Sequence, residues 1–129
     1  MLDHIGFPVA DFARSRAFYV AALAPLGIGV AMEVSAEETG ADAHAGFGSQ
    51  GKPEFWINSG GALTGGRVHV CFAAPDRASV DAFYAAAMKA GGRDNGPPGL
   101  RLHYHPNYYG AFVLDPDGHN IEAVCHTPA

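Results

Sequence analysis

Shifted by 65 residues, the chain lies over itself. HIGFPVADFARSRAFYVAALAPLG at 4 to 27 matches HVCFAAPDRASVDAFYAAAMKAGG at 69 to 92 without a gap, with ten of the twenty-four positions identical. Four of the ten are alanines, which recur throughout the chain. The other six pairs are His4/His69, Phe7/Phe72, Asp11/Asp76, Phe18/Phe83, Tyr19/Tyr84 and Gly27/Gly92. A repeat of this length means one supersecondary unit used twice, so whatever the first copy folds into, the second must echo.

Each copy reads the same way. A short apolar strand is followed by an Asp able to cap a helix N-terminus, then by apolar residues at three- and four-residue spacing, then by glycine. The apolar stripe is Phe12, Phe18, Tyr19, Ala22, Leu23 and Leu26 in one copy and Val80, Phe83, Tyr84, Ala87 and Met88 in the other. Beyond each helix the pattern turns β-like, predicting strands at 28 to 34, 43 to 48 and 54 to 58, then at 100 to 105, 108 to 114 and 120 to 126. Asp115-Pro116-Asp117-Gly118 reads as a tight turn. The order is βαβββ twice, an α+β chain. Module one runs over about residues 1 to 60 and module two over about 67 to 127 of a single domain, 1 to 129. The glycine-rich stretch Gly60 to Gly66 is the expected linker, and Gly91 to Gly99, with Pro97 and Pro98, the expected loop between helix and strand.

Composition narrows the function. At 129 residues, 48% hydrophobic and 16% charged, the chain supports one buried core. Its net charge of −5 and eight scattered Lys and Arg residues give no footprint for nucleic acid. No apolar window is long enough for a membrane span, and MLDHIGFPVADF lacks the pattern of a signal peptide, so a cytoplasmic protein is expected. Cys71 and Cys125 lie in apolar runs and read as buried reduced thiols.

The motifs DHIGFPV, VHVCFAA and DPDGHNIE, in that order on a tandem βαβββ repeat, resemble the vicinal oxygen chelate superfamily of glyoxalases, extradiol dioxygenases, fosfomycin-resistance and bleomycin-resistance proteins. The resemblance covers nearly the whole chain. It implies a glyoxalase-like fold, two modules forming a curved, mixed-sheet barrel. It also implies one divalent metal held between the two modules, with His4, His69 and Glu122, from the first strand of each module and the last strand of the second, converging on it. At the remaining ligand position, in the last strand of module one, the sequence reads EFWI. Trp56 stands there in the direct register, and Glu54, of the same strand parity, would serve only after a slip of two. Two imidazoles and one carboxylate suit a divalent first-row metal and leave positions open for substrate, without selecting among Zn, Ni, Mn, Fe and Co.

The densest chemistry elsewhere is Leu102 to Tyr109, with two histidines and three tyrosines. His105 and Tyr108 can move protons beside Glu122, and Tyr104, Tyr109, Trp56 and His126 can line a substrate pocket. His44 and His119 match no motif position and read as surface or turn residues. Arg14 and Arg16 belong on a solvated helix face. The function implied is a metal-dependent lyase or isomerase acting on a small oxygenated substrate. An extradiol-type dioxygenase, for which a Tyr is expected where Phe112 stands, or a non-catalytic small-molecule binder is the alternative. No basic cluster fits a phosphonate. Two curved sheets with open edges and apolar rims make a homodimer the expected assembly.

Overall fold

The structure is a computed structural model describing residues 1–129. Strand β1 (Ile5–Pro8) leads into helix α1 (Phe12–Leu23) and a 3-10 turn, Ala24–Leu26. Strands β2 (Gly29–Val34), β3 (His44–Gly48) and β4 (Phe55–Asn58) follow, with a one-turn helix α2 (Ala36–Thr39) inserted after β2. The second copy gives β5 (His69–Ala73), α3 (Arg77–Lys89), β6 (Arg93–Leu100), β7 (Tyr109–Leu114) and β8 (Asn120–Cys125). Both copies of the repeat are therefore strand then helix. In each, the matched aspartate caps the helix: Asp11 accepts from the backbone N–H of Arg14 at 3.1 Å and Asp76 from that of Ser79 at 2.7 Å.

Each module forms its own four-stranded mixed sheet, in the order β1-β4-β3-β2 and β5-β8-β7-β6. The first strand pairs parallel with the last, and the other pairs are antiparallel. The α+β class and the doubled βαβββ order hold, but the barrel does not close within the chain. Strands β1 and β5 do not pair with each other, so each sheet keeps open edges.

The two modules share one core of 19 buried residues drawn from both sheets and both long helices, including Phe7, Phe18, Tyr19, Phe47, Phe55, Phe83 and Ile121. Helices α1 and α3 touch each other, and the helix-facing side chains of the two sheets meet, Phe55 packing edge-on against Phe72 at 5.3 Å. Strand parity then decides the rest. Residues alternating with those core positions, such as His4, Gly6 and Trp56 in module one and His69, Cys71 and Glu122 in module two, point away from the helices.

Two local expectations fail. The stretch 91 to 99, read as a loop, supplies most of β6, and 100 to 105, read as a strand, is mostly turn. The prolines misled the reading because they exclude a central strand. Strand β6 is an edge and is bulged, with register shifts between Asp94 and Gly96 and between Gly96 and Gly99, so it tolerates missing N–H donors. The matched glycines also differ in purpose. Gly27 takes a left-handed conformation, φ 76°, to end the helical segment, whereas a Cβ on Gly92 would sit 2.4 Å from Val113 Cγ1.

The Asp115–Gly118 turn is a structural clasp. Oδ1 of buried Asp115 accepts from the backbone N–H groups of Asp117 (2.9 Å) and His119 (2.8 Å), and its Oδ2 accepts from the Tyr19 hydroxyl of the other module. His119, expected at the surface, is buried. Its Nδ1 accepts from the Val68 N–H at 3.0 Å and its ring lies 4.7 Å from that of Phe7. No helix is long and apolar enough to cross a membrane.

Candidate active site

The chemistry concentrates on the outward face of the second sheet. Glu122, in the middle of β8, pairs with Cys71 on one side and Phe112 on the other, and is only 1% exposed. A carboxylate so enclosed needs partners. It has them: the Tyr108 hydroxyl donates to Oε2, and Nε2 of His69 lies 2.8 Å from Oε1. His69 itself keeps 54% of its side chain exposed, so the pair opens to solvent through the imidazole. Burial first, then the hydrogen bond to Glu122 and its charge, hold the Tyr108 phenol above its ordinary value, so the proton stays on the tyrosine.

Cys71 was expected to be buried. It lies on the same outward face and is exposed at its edge, though the strands around it and the Glu122 charge push its pKa up to about 12, leaving a protonated thiol. Both cysteines are free.

Rings gather above Glu122. The segment from Arg101 to Tyr108 is closed by a backbone hydrogen bond from Arg101 N–H to the Tyr108 carbonyl (2.8 Å), and it stacks its side chains on one another. Tyr104 meets Tyr108 at 5.0 Å and His103 meets Tyr104 at 4.1 Å. His126 lies 5.2 Å from Tyr108 and 5.5 Å from His105. Of the residues expected around the pocket, Tyr104, His105, Tyr108 and His126 are thus brought together. Tyr109 is not. One residue along the strand, it turns to the helix side, where its hydroxyl donates to Asp81 and Arg77 lies over its ring.

Module one carries a different surface. The repeat places Gly6 where module two has Cys71, and the register pairs Gly6 with Trp56 as it pairs Cys71 with Glu122. Trp56 therefore occupies the position equivalent to Glu122. Two glycines make room for Trp56: a Cβ on Gly6 would meet Trp56 Cβ at 2.9 Å, and one on Gly46 would meet the indole ring at 2.9 Å. A groove beside it is lined by His4, Met32, Val34, His44 and Asn58, so His44, expected at the surface, belongs to this face.

His4 stands apart from the His69–Glu122 pair. Its Nδ1 is 2.8 Å from Asp3 Oδ1, and Lys52 holds Asp3 in turn at 3.3 Å. A cavity of about 350 Å³ between the modules is edged by His4, Glu54, His69 and Cys71 together. No three His, Cys, Asp or Glu side chains of one chain are grouped closely enough to hold an ion.

A family model described as the Glyoxalase/Bleomycin resistance protein/Dioxygenase superfamily matches residues 1–123. The chain belongs to that superfamily. A glyoxalase/bleomycin resistance protein from Albidiferax ferrireducens T118 is 30% identical with a TM-score of 0.76, covering 96% of this chain and 97% of its own. Glyoxalase I from Zea mays is similar at 19% identity and a TM-score of 0.69; the chain covers 45% of that protein's length while 99% of the chain is matched. The fosfomycin resistance protein FosX from Listeria monocytogenes, whose structure was solved with Mn(II) and 1S,2S-dihydroxypropylphosphonic acid, is similar at 19% identity and a TM-score of 0.67, covering 98% of this chain and 90% of its own. The latter two likenesses are of fold. Among curated proteins, none matches the chain in sequence.

Proposed function

We propose that this superfamily member is a metal-dependent, glyoxalase-like enzyme of the lyase or isomerase type. Its substrate is a small molecule with two neighbouring oxygens, and it works as a cytoplasmic homodimer. The observation that carries the reading is the buried Glu122 carboxylate, gripped by Tyr108 and His69 at the floor of an open face.

The donors fit a divalent ion. His69 Nε2 and Glu122 Oε1 present nitrogen and oxygen side by side. His4, tied through Nδ1 to Asp3, keeps Nε2 free, the arrangement in which a carboxylate orients a ligating imidazole. His4 and His69 lie on outward faces of different sheets, so two copies, each laying module one over the other's module two, supply the three donors His4, His69 and Glu122. Trp56 then walls the pocket at the position where a fourth ligand would stand, and Glu54 stays two residues short of it. When bound, the ion supplies Lewis acidity to the substrate's two oxygens.

The chain's own residues do the rest. Glu122 accepts the proton released next to the polarised carbonyl, and the Tyr108 hydroxyl steadies the carboxylate by donating to Oε2. His105, near His126 at the rim, exchanges protons with solvent. An extradiol-type dioxygenase is the alternative within the same site: Phe112, paired with Glu122 across the strands, offers no hydroxyl, but Tyr108 brings one to Glu122 from the adjoining turn. A binding protein without catalysis is the second reading, favoured by the lack of a three-donor group within one chain. Metal analysis of protein purified without chelator separates them. About one ion per chain, lost in Glu122→Gln and His69→Ala, is expected; wild-type protein that neither carries nor takes up a divalent ion would overturn the enzyme reading.

A further inference from the structure

The basic residues are scattered in sequence, yet the fold brings two of them to one spot. Arg67, at the end of the linker, and Arg93, at the start of β6, stand 26 positions apart. Both reach over Gly118, in the turn that leads into β8. From the place a Cβ would take on Gly118, Arg67 Nε is 3.7 Å away, its Cζ 3.9 Å, and Arg93 Nη2 3.9 Å. Gly118 is buried and takes a left-handed φ of 86°, so the floor is bare backbone and no side chain of its own stands between the guanidiniums.

Neither guanidinium has a partner. Arg16 pairs with Glu33, Lys52 with Asp3, Arg77 lies over Tyr109, and Arg101 donates to the Gly99 and Pro97 carbonyls. Arg67 and Arg93 are exposed and make no ion pair or ring contact. The carboxylates around them are engaged elsewhere. Asp115 accepts from backbone N–H groups and Tyr19, Asp117 Oδ2 from the Ala10 N–H at 3.1 Å, and Asp94 Oδ1 from the Gly96 N–H at 2.9 Å. Two like charges converging without a counter-charge repel each other, and an anion set between them relieves that repulsion.

The strand register adds a neutral donor. Arg93 pairs with Leu114, Leu114 with Asn120 and Asn120 with His69, one row across the outward face at the end of the second sheet. Asn120 Oδ1 accepts from Asn95 Nδ2 at 3.2 Å, which leaves the Asn120 amide N–H groups to donate.

We propose that Arg67 and Arg93 form a binding site for a phosphate-class oxyanion, seated over Gly118 and independent of the metal donors. A tetrahedral dianion matches the pair in charge and offers each guanidinium its own oxygens; a carboxylate neutralises one charge of the two. The site does not depend on the reading of Glu122 as a metal ligand.

The test is calorimetric binding of inorganic phosphate to the full-length protein after chelation, at low ionic strength, with acetate as the monoanionic control and glycerol phosphate as the ester. Phosphate is expected to bind at about one per chain and to weaken with added salt. Acetate is expected to bind at least tenfold more weakly. Arg67→Ala and Arg93→Ala should each weaken phosphate binding by about ten- to a hundredfold, the loss of one charge-assisted contact, while Arg67→Lys, which keeps the charge without the fork, recovers part of it. Arg14→Ala removes the same charge from helix α1 and should change nothing. Because Arg67 and Arg93 are exposed and repel each other, neither alanine variant is expected to lower Tm in phosphate-free buffer. Equal binding of the ester and the free ion assigns the site to the ion, and tighter binding of the ester assigns it to a phosphorylated small molecule; both uphold it. No phosphate binding, an equal loss in Arg14→Ala, or binding that appears only with metal loaded and vanishes in Glu122→Gln would overturn the inference.

Discussion

Tyr108→Phe tests how far Glu122 depends on its neighbour. The wild-type hydroxyl donates to Oε2 of a carboxylate that is 1% exposed, and the remaining side-chain partner, His69, lies at the other oxygen. Removing the hydroxyl leaves Oε2 without its donor. A buried acceptor so orphaned costs about 1–3 kcal/mol. Tyr108 is half-buried, and water entering beside the phenyl ring recovers part of that loss, which puts the expected cost at about 1–2 kcal/mol. For a domain of this size that is a fall in Tm of roughly 3–8 °C by calorimetry. If the proposed site is right, the same variant weakens divalent metal binding by about ten- to a hundredfold, since the hydroxyl orients a ligating carboxylate from behind. Both readouts belong to one side chain. Unchanged Tm and unchanged metal affinity would refute the account of Glu122 given above.

Burial, and then the charge of Asp115, raise the Tyr19 phenol well above its ordinary value of 10.0. In the unfolded chain it ionises near that ordinary value, so the stability it contributes is whole below about pH 10 and is lost as pH rises above it. Tyr19→Phe should be less stable than wild type at pH 7 and should lose less further stability between pH 9 and 11 in urea titrations; parallel losses would count against the clasp. Gly48→Ala would set a Cβ 1.7 Å from the Lys52 carbonyl oxygen, backbone that cannot swing aside, and should cost roughly 3 kcal/mol or more in denaturant unfolding. A variant within about 0.5 kcal/mol of wild type would show that the β3–β4 connection is not held as described.

The repeat made the architecture readable. Phe7/Phe72, Asp11/Asp76 and Phe18/Phe83 carry the strand, cap and core roles in both copies, and local pattern was enough to find them. Where the reading failed, tertiary context had overruled local preference. Pro97 and Pro98 sit in a strand because that strand is an edge, and His119 is buried because the turn before it is clasped to Tyr19 of the other module. Of the candidate site, the Glu122 neighbourhood was visible as unusual residues in sequence, but not the side of the sheet each would take. Tyr108 and Tyr109 are adjacent and face opposite ways, a consequence of strand parity that depends on the register of β7. The room that Gly6 and Gly46 leave for Trp56 needs the pairing of three strands, which no short motif records.

The central claim, a metal site assembled from His4 of one copy and His69 with Glu122 of another, is tested most directly by a mixed dimer. His4→Ala and Glu122→Gln chains, each separately unable to hold the ion, are unfolded together in equal amounts, refolded, and assayed for bound divalent metal by mass spectrometry. Ligands shared across copies regenerate one intact site in every mixed dimer, which predicts recovery of about a quarter of the wild-type metal content when partners assort at random. No recovery above that of the separate variants, in a sample where mixed dimers are shown to form, would contradict the account.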